Sequence, residues 1–388
     1  MQKIAMVVLS SYPIDVRVRR EAEALVKAGK KVDVICRTKR GEPAKEIVNG
    51  VTTYRITLNR TGSGKLGYFW EYPYFFLRAF MKLTFLFFKN YYDIIHVHNM
   101  PDFLVFTAII PKLFGKKIIL DLHDPMPELY MSMFSMSAQN PVIRFLKQME
   151  RSCIRFADHV LTPNISFRNL FISRGCPAVK ISIVMNSPDE NIFMTNGGTG
   201  LVPKDNNNFV IMYHGAIVER HGLDILVDAV SLIQHKIPNL KLWIYGGGNF
   251  LKTIRKKIIE SDLSNYIDIK GMVIVDKIAE AIKQIDLGVI PNRINPFTQI
   301  NFPVRTFEYI VMNKPVVVPR TQGISDYFDE ESIFFFEPGN VESLASAIME
   351  IYEHPKKKEL VLRKSIDVFN NYRWESQKQN LIELTNKL

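Results

Sequence analysis

The stretch NFPVRTFEYIVMNKPVVVP, Asn301–Pro319, decides how this chain is read. A polar loop leads through Pro303 into a short helix carrying Arg305 and Glu308. The run Pro315–Pro319 then has the unbroken apolar character of a strand buried on both faces of a parallel sheet. Proline suits the first turn of a helix, where its missing N–H is not needed. Three residues apart, Arg305 and Glu308 share one helical face. A cation beside free helix N–H groups suits a phosphate, and a carboxylate one turn on suits a sugar hydroxyl. An ordinary ion pair on a solvated helix is the other chemistry these two residues allow.

Outward from this stretch, apolar runs of strand length alternate with helical patterns twice over. Seven runs lie at 3–10, 31–37, 51–58, 93–99, 117–123, 159–164 and 181–187. Six more lie at 209–215, 241–247, 266–272, 286–291, 315–319 and 332–338. Helical stretches at 18–28, 223–235, 278–284 and 341–354 fall between them. This alternation predicts an α/β fold of two doubly wound parallel-sheet domains, 1–187 and 188–370. The join is expected in the Gly/Asn-rich stretch around 186–200, and 388 residues are too many for one ordinary core. Ligands of such sheets sit beyond the carboxyl ends of the strands, so a cleft between the domains is the expected site.

Composition narrows the function without choosing it. With 47% hydrophobic and 23% charged residues the chain is of the soluble globular kind, and its net charge of +11 favours an anionic partner. Anionic lipid and phosphorylated metabolites fit. Nucleic acid is not expected, because there is no RNP-type motif, zinc-finger spacing or long Lys/Arg run. The opening MQKIAMVVLSSYP reads as a first strand, not a signal peptide. Cys36, Cys153 and Cys176 are far apart and odd in number, as reduced cytosolic thiols are.

Some polar residues stand out by position. His123 follows the buried run KIILDL and so falls at the carboxyl end of a strand, where a capping or core role is the alternative to a functional one. Asp15 and Arg17 sit where the first loop opens the first long helix, and Asp15 also suits a helix N-cap. His96 and His98 share a strand face at a spacing that can bind metal, but no third ligand is apparent nearby, so a structural role is expected. Gly246–Gly248 form a loop after a strand that permits close backbone approach, or simply a tight turn.

Taken together, YPIDVRVRREAEALVKAGKKVDVI (12–35), YDIIHVHNMPDFL (92–104), ILDLHDPMPEL (119–129), ADHVLTPN (157–164), YHGAIVERHGLDILVDAV (213–230), IYGGGN (244–249) and the opening stretch resemble the retaining glycosyltransferases of family GT4. The resemblance implies a GT-B fold: two facing Rossmann-like domains with an interdomain cleft, and a last helix, from about 371 to 388, returning to the first domain. It implies transfer of a sugar from a nucleoside-diphosphate sugar to a glycan or polyprenyl-linked acceptor, in cell-surface polysaccharide or glycolipid synthesis. No metal or other cofactor is implied, and no DxD motif occurs in the chain. By the same resemblance Arg305 and Arg220 meet the leaving diphosphate, Glu308 the ribose and the backbone near Val273 the base. Gly215 and Gly247 lie along the donor. His123 meets the donor sugar or reaction centre, with Asp15, Arg17 and Asp124 on the acceptor side. The first glutamate of the family's pair is replaced by Ile300, which leaves the donor sugar to Thr298, Gln299 and Asn301. Ala216 and His221 stand where many members carry arginine and lysine. A nucleotide-sugar epimerase of the same fold and an inert sugar-nucleotide-binding partner subunit are the alternatives.

Leu66–Tyr92 is rich in aromatics, and Arg78, Lys82 and Lys89 recur in it at helical spacing. The pattern suits either a helix packed under the first sheet or one lying in an anionic membrane interface. It is too interrupted by charge to span a bilayer. The expected location is cytoplasmic, at the inner face of the membrane if lipid is engaged.

Overall fold

The computed structural model describes residues 1–39, 41–58, 65–193 and 208–388, with the backbone alone for 65–70. The chain forms two compact units, Met1–Asn186 with Glu375–Leu388, and Ser187–Trp374. Much of the expected join falls in 194–207, outside the described residues.

The first unit contains β1 (Lys3–Val7), β2 (Lys31–Arg37), β3 (Lys45–Val48), β4 (Val51–Ile56), β5 (Ile94–His98), β6 (Lys117–Asp121), β7 (His159–Thr162) and β8 (Ile181–Ile183). They form one sheet in the order β3-β4-β2-β1-β5-β6-β7-β8. All neighbours are parallel except β3, which runs antiparallel to β4. The central strands read as continuous buried apolar runs because helices cover both faces. β3 is absent from the expected strands: KEIV is charged and lies at the sheet edge. Its signal was the Asn49-Gly50 pair, both at positive φ, which closes a two-residue hairpin.

The second unit contains β9 (Phe209–His214), β10 (Leu240–Tyr245), β11 (Ile267–Gly271), β12 (Leu287–Val289), β13 (Val316–Pro319) and β14 (Phe334–Phe336). These are parallel throughout, in the order β11-β10-β9-β12-β13-β14. β13 lies inside the sheet with all four residues buried, which is why its sequence is uninterrupted Val and Pro.

Several strands stop short of the expected ends. Residues 8–10, 99 and 122–123 leave the ladder, so their polar side chains belong to loops at the carboxyl edge. The Lys65–Asn90 helix packs Phe75, Ala79, Leu83, Leu86 and Phe87 into the first unit's core.

The helix Trp374–Lys387 is held to the first unit by its polar side chains as well as its apolar face. Gln377 Oε1 accepts from the Met185 N–H (2.9 Å), the Thr385 carbonyl accepts from Gln2 (2.8 Å), and Asn386 accepts from Lys30 (2.7 Å). Leu381 is fully buried. Leu381→Ala is expected to cost about 2–5 kcal/mol of stability. Urea unfolding followed by circular dichroism checks this, and an unchanged midpoint would mean the helix is not integral to the first unit.

Candidate functional site

In the first unit, a pocket of about 1030 Å³ opens at the carboxyl ends of β1, β2, β4, β5 and β6. Asp15, His123 and Asp124 line it, together with Asn99 and Tyr72. Asp15 caps the Val16–Lys27 helix by accepting from the Val18 N–H, and it also accepts from Ser10 Oγ (2.6 Å). Burial opposes its ionisation, but His123, Ser10 and the Val18 N–H together hold its pKa below the usual value. The capping and site-lining readings of Asp15 are therefore compatible.

Behind His123 lies a buried ionic network. Arg17 grips Asp121 through two parallel bonds (Nε to Oδ2 3.1 Å, Nη2 to Oδ1 2.8 Å) and donates its third nitrogen to the Val184 carbonyl (2.8 Å). Glu21, one turn on, lies 3.2 Å from Arg17 Nε. His123 Nε2 is 3.2 Å from Asp121 Oδ2 and 3.1 Å from His98 Nδ1. Burial opposes a charge on Asp121, but Arg17 and then His123 hold its carboxyl well below the usual range. For His123 burial likewise opposes the cation, and the charge and hydrogen bond of Asp121 raise its pKa above the ordinary value. His98 is pushed down to about 3 by burial and by His96, so it is a neutral imidazole. Protonated at Nε2, His123 can then donate toward Asp121 or toward the His98 Nδ1 lone pair.

Two sequence expectations change here. Arg17 is 6% exposed and its donors face Asp121, Glu21 and Val184, so it stands behind His123 and does not line the pocket with Asp15 and Asp124. His96 and His98 do gain carboxylate neighbours: Glu21, His96, His98 and Asp121 offer ligand atoms within 4.8 Å of one another. Those ligands came from distant segments, out of reach of a spacing argument. The Arg17 guanidinium already bridges both carboxylates, and that charge opposes a cation in the same space.

Asn99 was not singled out from sequence, yet it ties the loops together. Its Oδ1 accepts from the His123 N–H (2.8 Å), and its Nδ2 donates to the Asp124 carbonyl (2.8 Å) and to Asp102 (2.9 Å). The only signal was a polar side chain directly after the buried strand IIHVH.

The second unit gathers its polar groups at the end of β9. Arg305 Nη1 donates to the His214 carbonyl (2.7 Å), Nη2 donates to Asn292 Oδ1 (3.1 Å), and the guanidinium lies over the Tyr213 ring at 4.9 Å. Glu308 is 2.7 Å from His214 Nε2, and His214 Nδ1 is 2.8 Å from the Tyr309 hydroxyl. Arg305 and Glu308 are thus each held by His214 and not paired as an i, i+3 bridge. Gly215, at φ 136°, has no side chain because a Cβ there would stand 2.2 Å from Arg305 Nη1. Beside them, the His221 imidazole is pushed down to about 3 by burial, then by Arg305, with Arg220 adding to the effect. Two arginines acting on one histidine mark a positive field suited to an anion.

Other expected donor residues divide by role. Gly246 and Gly248 meet protein backbone: a Cβ on either would lie about 2 Å from the carbonyl of Gly215 or Ile217. Gly247 receives the Ile217 N–H at its carbonyl (2.8 Å). Thr298 is spent on its own loop, its Oγ1 accepting from the Asn295 N–H (3.0 Å) and bonded to the Arg293 carbonyl. Gln299 and Asn301 close the same turn through backbone bonds to Asn295 and Phe297. Val273 sits, partly exposed, just past β11.

Raising a histidine pKa makes its pairing stabilising on the acid side. The Asp121–His123 contribution is complete below the unfolded imidazole pKa of about 6.5 and fades as pH rises through the higher folded value. The stability gap between the native chain and His123→Gln should therefore be larger at pH 6 than at pH 9 in urea titrations. Asp121→Asn, which leaves Arg17 buried without its anion, should cost about 3–5 kcal/mol. Gly215→Ala should displace Arg305 and, because φ there is 136°, should also lower the melting temperature, which calorimetry checks.

Comparison with known proteins follows the two units. Residues 14–191 match the glycosyltransferase family 4 model, and residues 208–354 match that of the glycosyl transferases group 1. An uncharacterized glycosyltransferase of Methanocaldococcus jannaschii is 25% identical over 165 residues, 42% of this chain and 44% of that protein. The match thus spans less than half the length of that relative. Sucrose-phosphate synthase of Thermosynechococcus elongatus superposes over 100% of this chain and 99% of its own with a TM-score of 0.80 at 19% identity. HepE of Anabaena, solved with UDP and glucose, covers both chains fully with a TM-score of 0.73 at 17% identity. With both of its units matched in order, the chain belongs to the group 1, family 4 glycosyltransferases of GT-B fold.

Proposed function

We propose that this glycosyltransferase moves a hexose-type sugar from a nucleoside-diphosphate sugar to a glycan or polyprenyl-linked acceptor, with retention of configuration and without a metal. The observation that carries the donor half is Arg305, fixed by the His214 carbonyl and Asn292 beside Arg220, with Glu308 held separately by His214. A diphosphate leaving group needs positive charge that is already in place, and two arginines with helix N–H groups supply it without an ion. Glu308, free of any pairing with Arg305, accepts the ribose hydroxyls. HepE, solved with UDP, supports uridine as the first nucleotide to try.

The acceptor oxygen attacks the anomeric carbon from the face that the diphosphate leaves. As the carbon–oxygen bond to phosphate breaks, the acceptor proton passes to the departing phosphate oxygen, giving the glycoside and a nucleoside diphosphate. His123, its protonated form favoured by Asp121, stabilises negative charge or donates a hydrogen bond at the reacting sugar. Asp15 and Asp124 orient the acceptor. Such a reaction belongs to cell-surface polysaccharide or glycolipid synthesis at the cytoplasmic face of a membrane. The replacement of a family glutamate by Ile300 favours one second reading, an inert sugar-nucleotide-binding subunit.

Incubation with a panel of nucleotide sugars and lipid-linked or oligosaccharide acceptors, with assay of nucleoside diphosphate release, separates the two readings. Binding without release in every pairing would favour the inert subunit. Arg305→Ala should lower kcat about 10²–10³-fold and weaken UDP binding. Proton NMR of the product should show the donor's own anomeric configuration, and an inverted anomer would exclude the front-face route.

A further inference from the structure

The Lys65–Asn90 helix has a second apolar side that the core does not use. Opposite the buried Phe75, Ala79, Leu83, Leu86 and Phe87, it exposes Tyr74, Leu77, Met81, Phe85 and Phe88, the least exposed of them 47% accessible and Phe85 65%. At about 100° per residue these five fall within an arc of about 80°. The neighbouring helix Ile109–Leu113 extends the surface with Ile109, Leu113 and the following Phe114, all exposed. The Phe88 and Phe114 rings meet edge to face, centroids 5.5 Å apart, which joins the two helices into one apolar face. A contiguous surface of eight large apolar side chains is uncommon on a monomer and marks an interaction site.

Charge says what covers it. Arg78, Lys82 and Lys89 lie on the same helix in an arc of about 40° that borders the apolar one. All three are exposed and form no ion pair among the described residues. From Tyr72 to Tyr91 the chain contains no Asp or Glu. A second copy of this chain pressed against the face would bring basic side chains together with no acid to answer them. Lipid phosphates answer them directly, while the apolar side chains reach the acyl boundary and the basic stems lie along it. Among the described residues no helix is long and apolar enough to cross a membrane, so the helix lies on the surface.

We propose that this two-helix face docks onto an anionic phospholipid bilayer. Tyr72, on the core side of the same helix, lines the first unit's pocket, so the helix that docks is also a wall of that pocket. This deepens the reading of a membrane-borne acceptor, but it rests on surface chemistry that the donor site does not share.

The test is flotation of the full chain with extruded vesicles of phosphatidylcholine alone or with an equal part of phosphatidylglycerol. Binding is expected to the anionic vesicles only and to fall with added salt. Leu77→Ser/Phe85→Ser should abolish it, and Arg78→Gln/Lys82→Gln/Lys89→Gln should weaken it about 100-fold. Both variants alter exposed residues, and unchanged UDP binding and melting temperature should confirm that they fold. The proposal is overturned if the native chain ignores anionic vesicles or if both variants bind as it does. It is also overturned if gel filtration shows a dimer that Leu77→Ser/Phe85→Ser dissolves while vesicles have no effect. Loss of UDP binding by the native chain would refute the donor reading and leave the lipid result standing.

Discussion

Asp121 is the charge around which the first unit is organised. A carboxylate at the end of a central strand, fully buried, is tenable only when strong partners surround it. Arg17 supplies two parallel bonds from a helix that begins in the β1 loop, and His123 supplies a third contact from the residue pair that follows β6. The arrangement fixes the relative placement of three loops, because moving any one of them would strand a charge in the interior. His123 therefore faces the pocket with its orientation fixed from behind and its protonated form favoured by the carboxylate.

The second unit solves a different problem with similar economy. Arg305 is anchored by a carbonyl and an amide, and among the described residues no carboxylate consumes its charge. Glu308 is steered away from it by His214, which also ties in the Tyr309 hydroxyl. Gly215 clears the space. Histidine, glycine and arginine form a unit in which each residue explains the identity of the next.

The sequence disclosed what depends on local pattern. Buried runs such as VVVP read as parallel strands because no solvent face interrupts them, and the order of strands and helices followed. Arg305 and Glu308 stood out because a short helix shows both on one face. What stayed hidden was what depends on meeting across distance. Arg17 and Asp121 are 104 positions apart, so the burial that turns Arg17 from a surface residue into a support left no local trace. Asn99 and His214 looked like ordinary strand ends, since their value lies in which loops converge on them. β3 was missed because an edge strand bears charge, although its Asn-Gly turn was legible.

The return of the last helix to the first unit has a consequence for biosynthesis. Since chains emerge from their amino end, most domains can complete their cores while later segments are still being made. Here the slot that receives Leu381 stays open until the segment carrying it leaves the ribosome, after the whole of the second unit has been synthesised. The half of the protein that is translated first is the half whose core closes last.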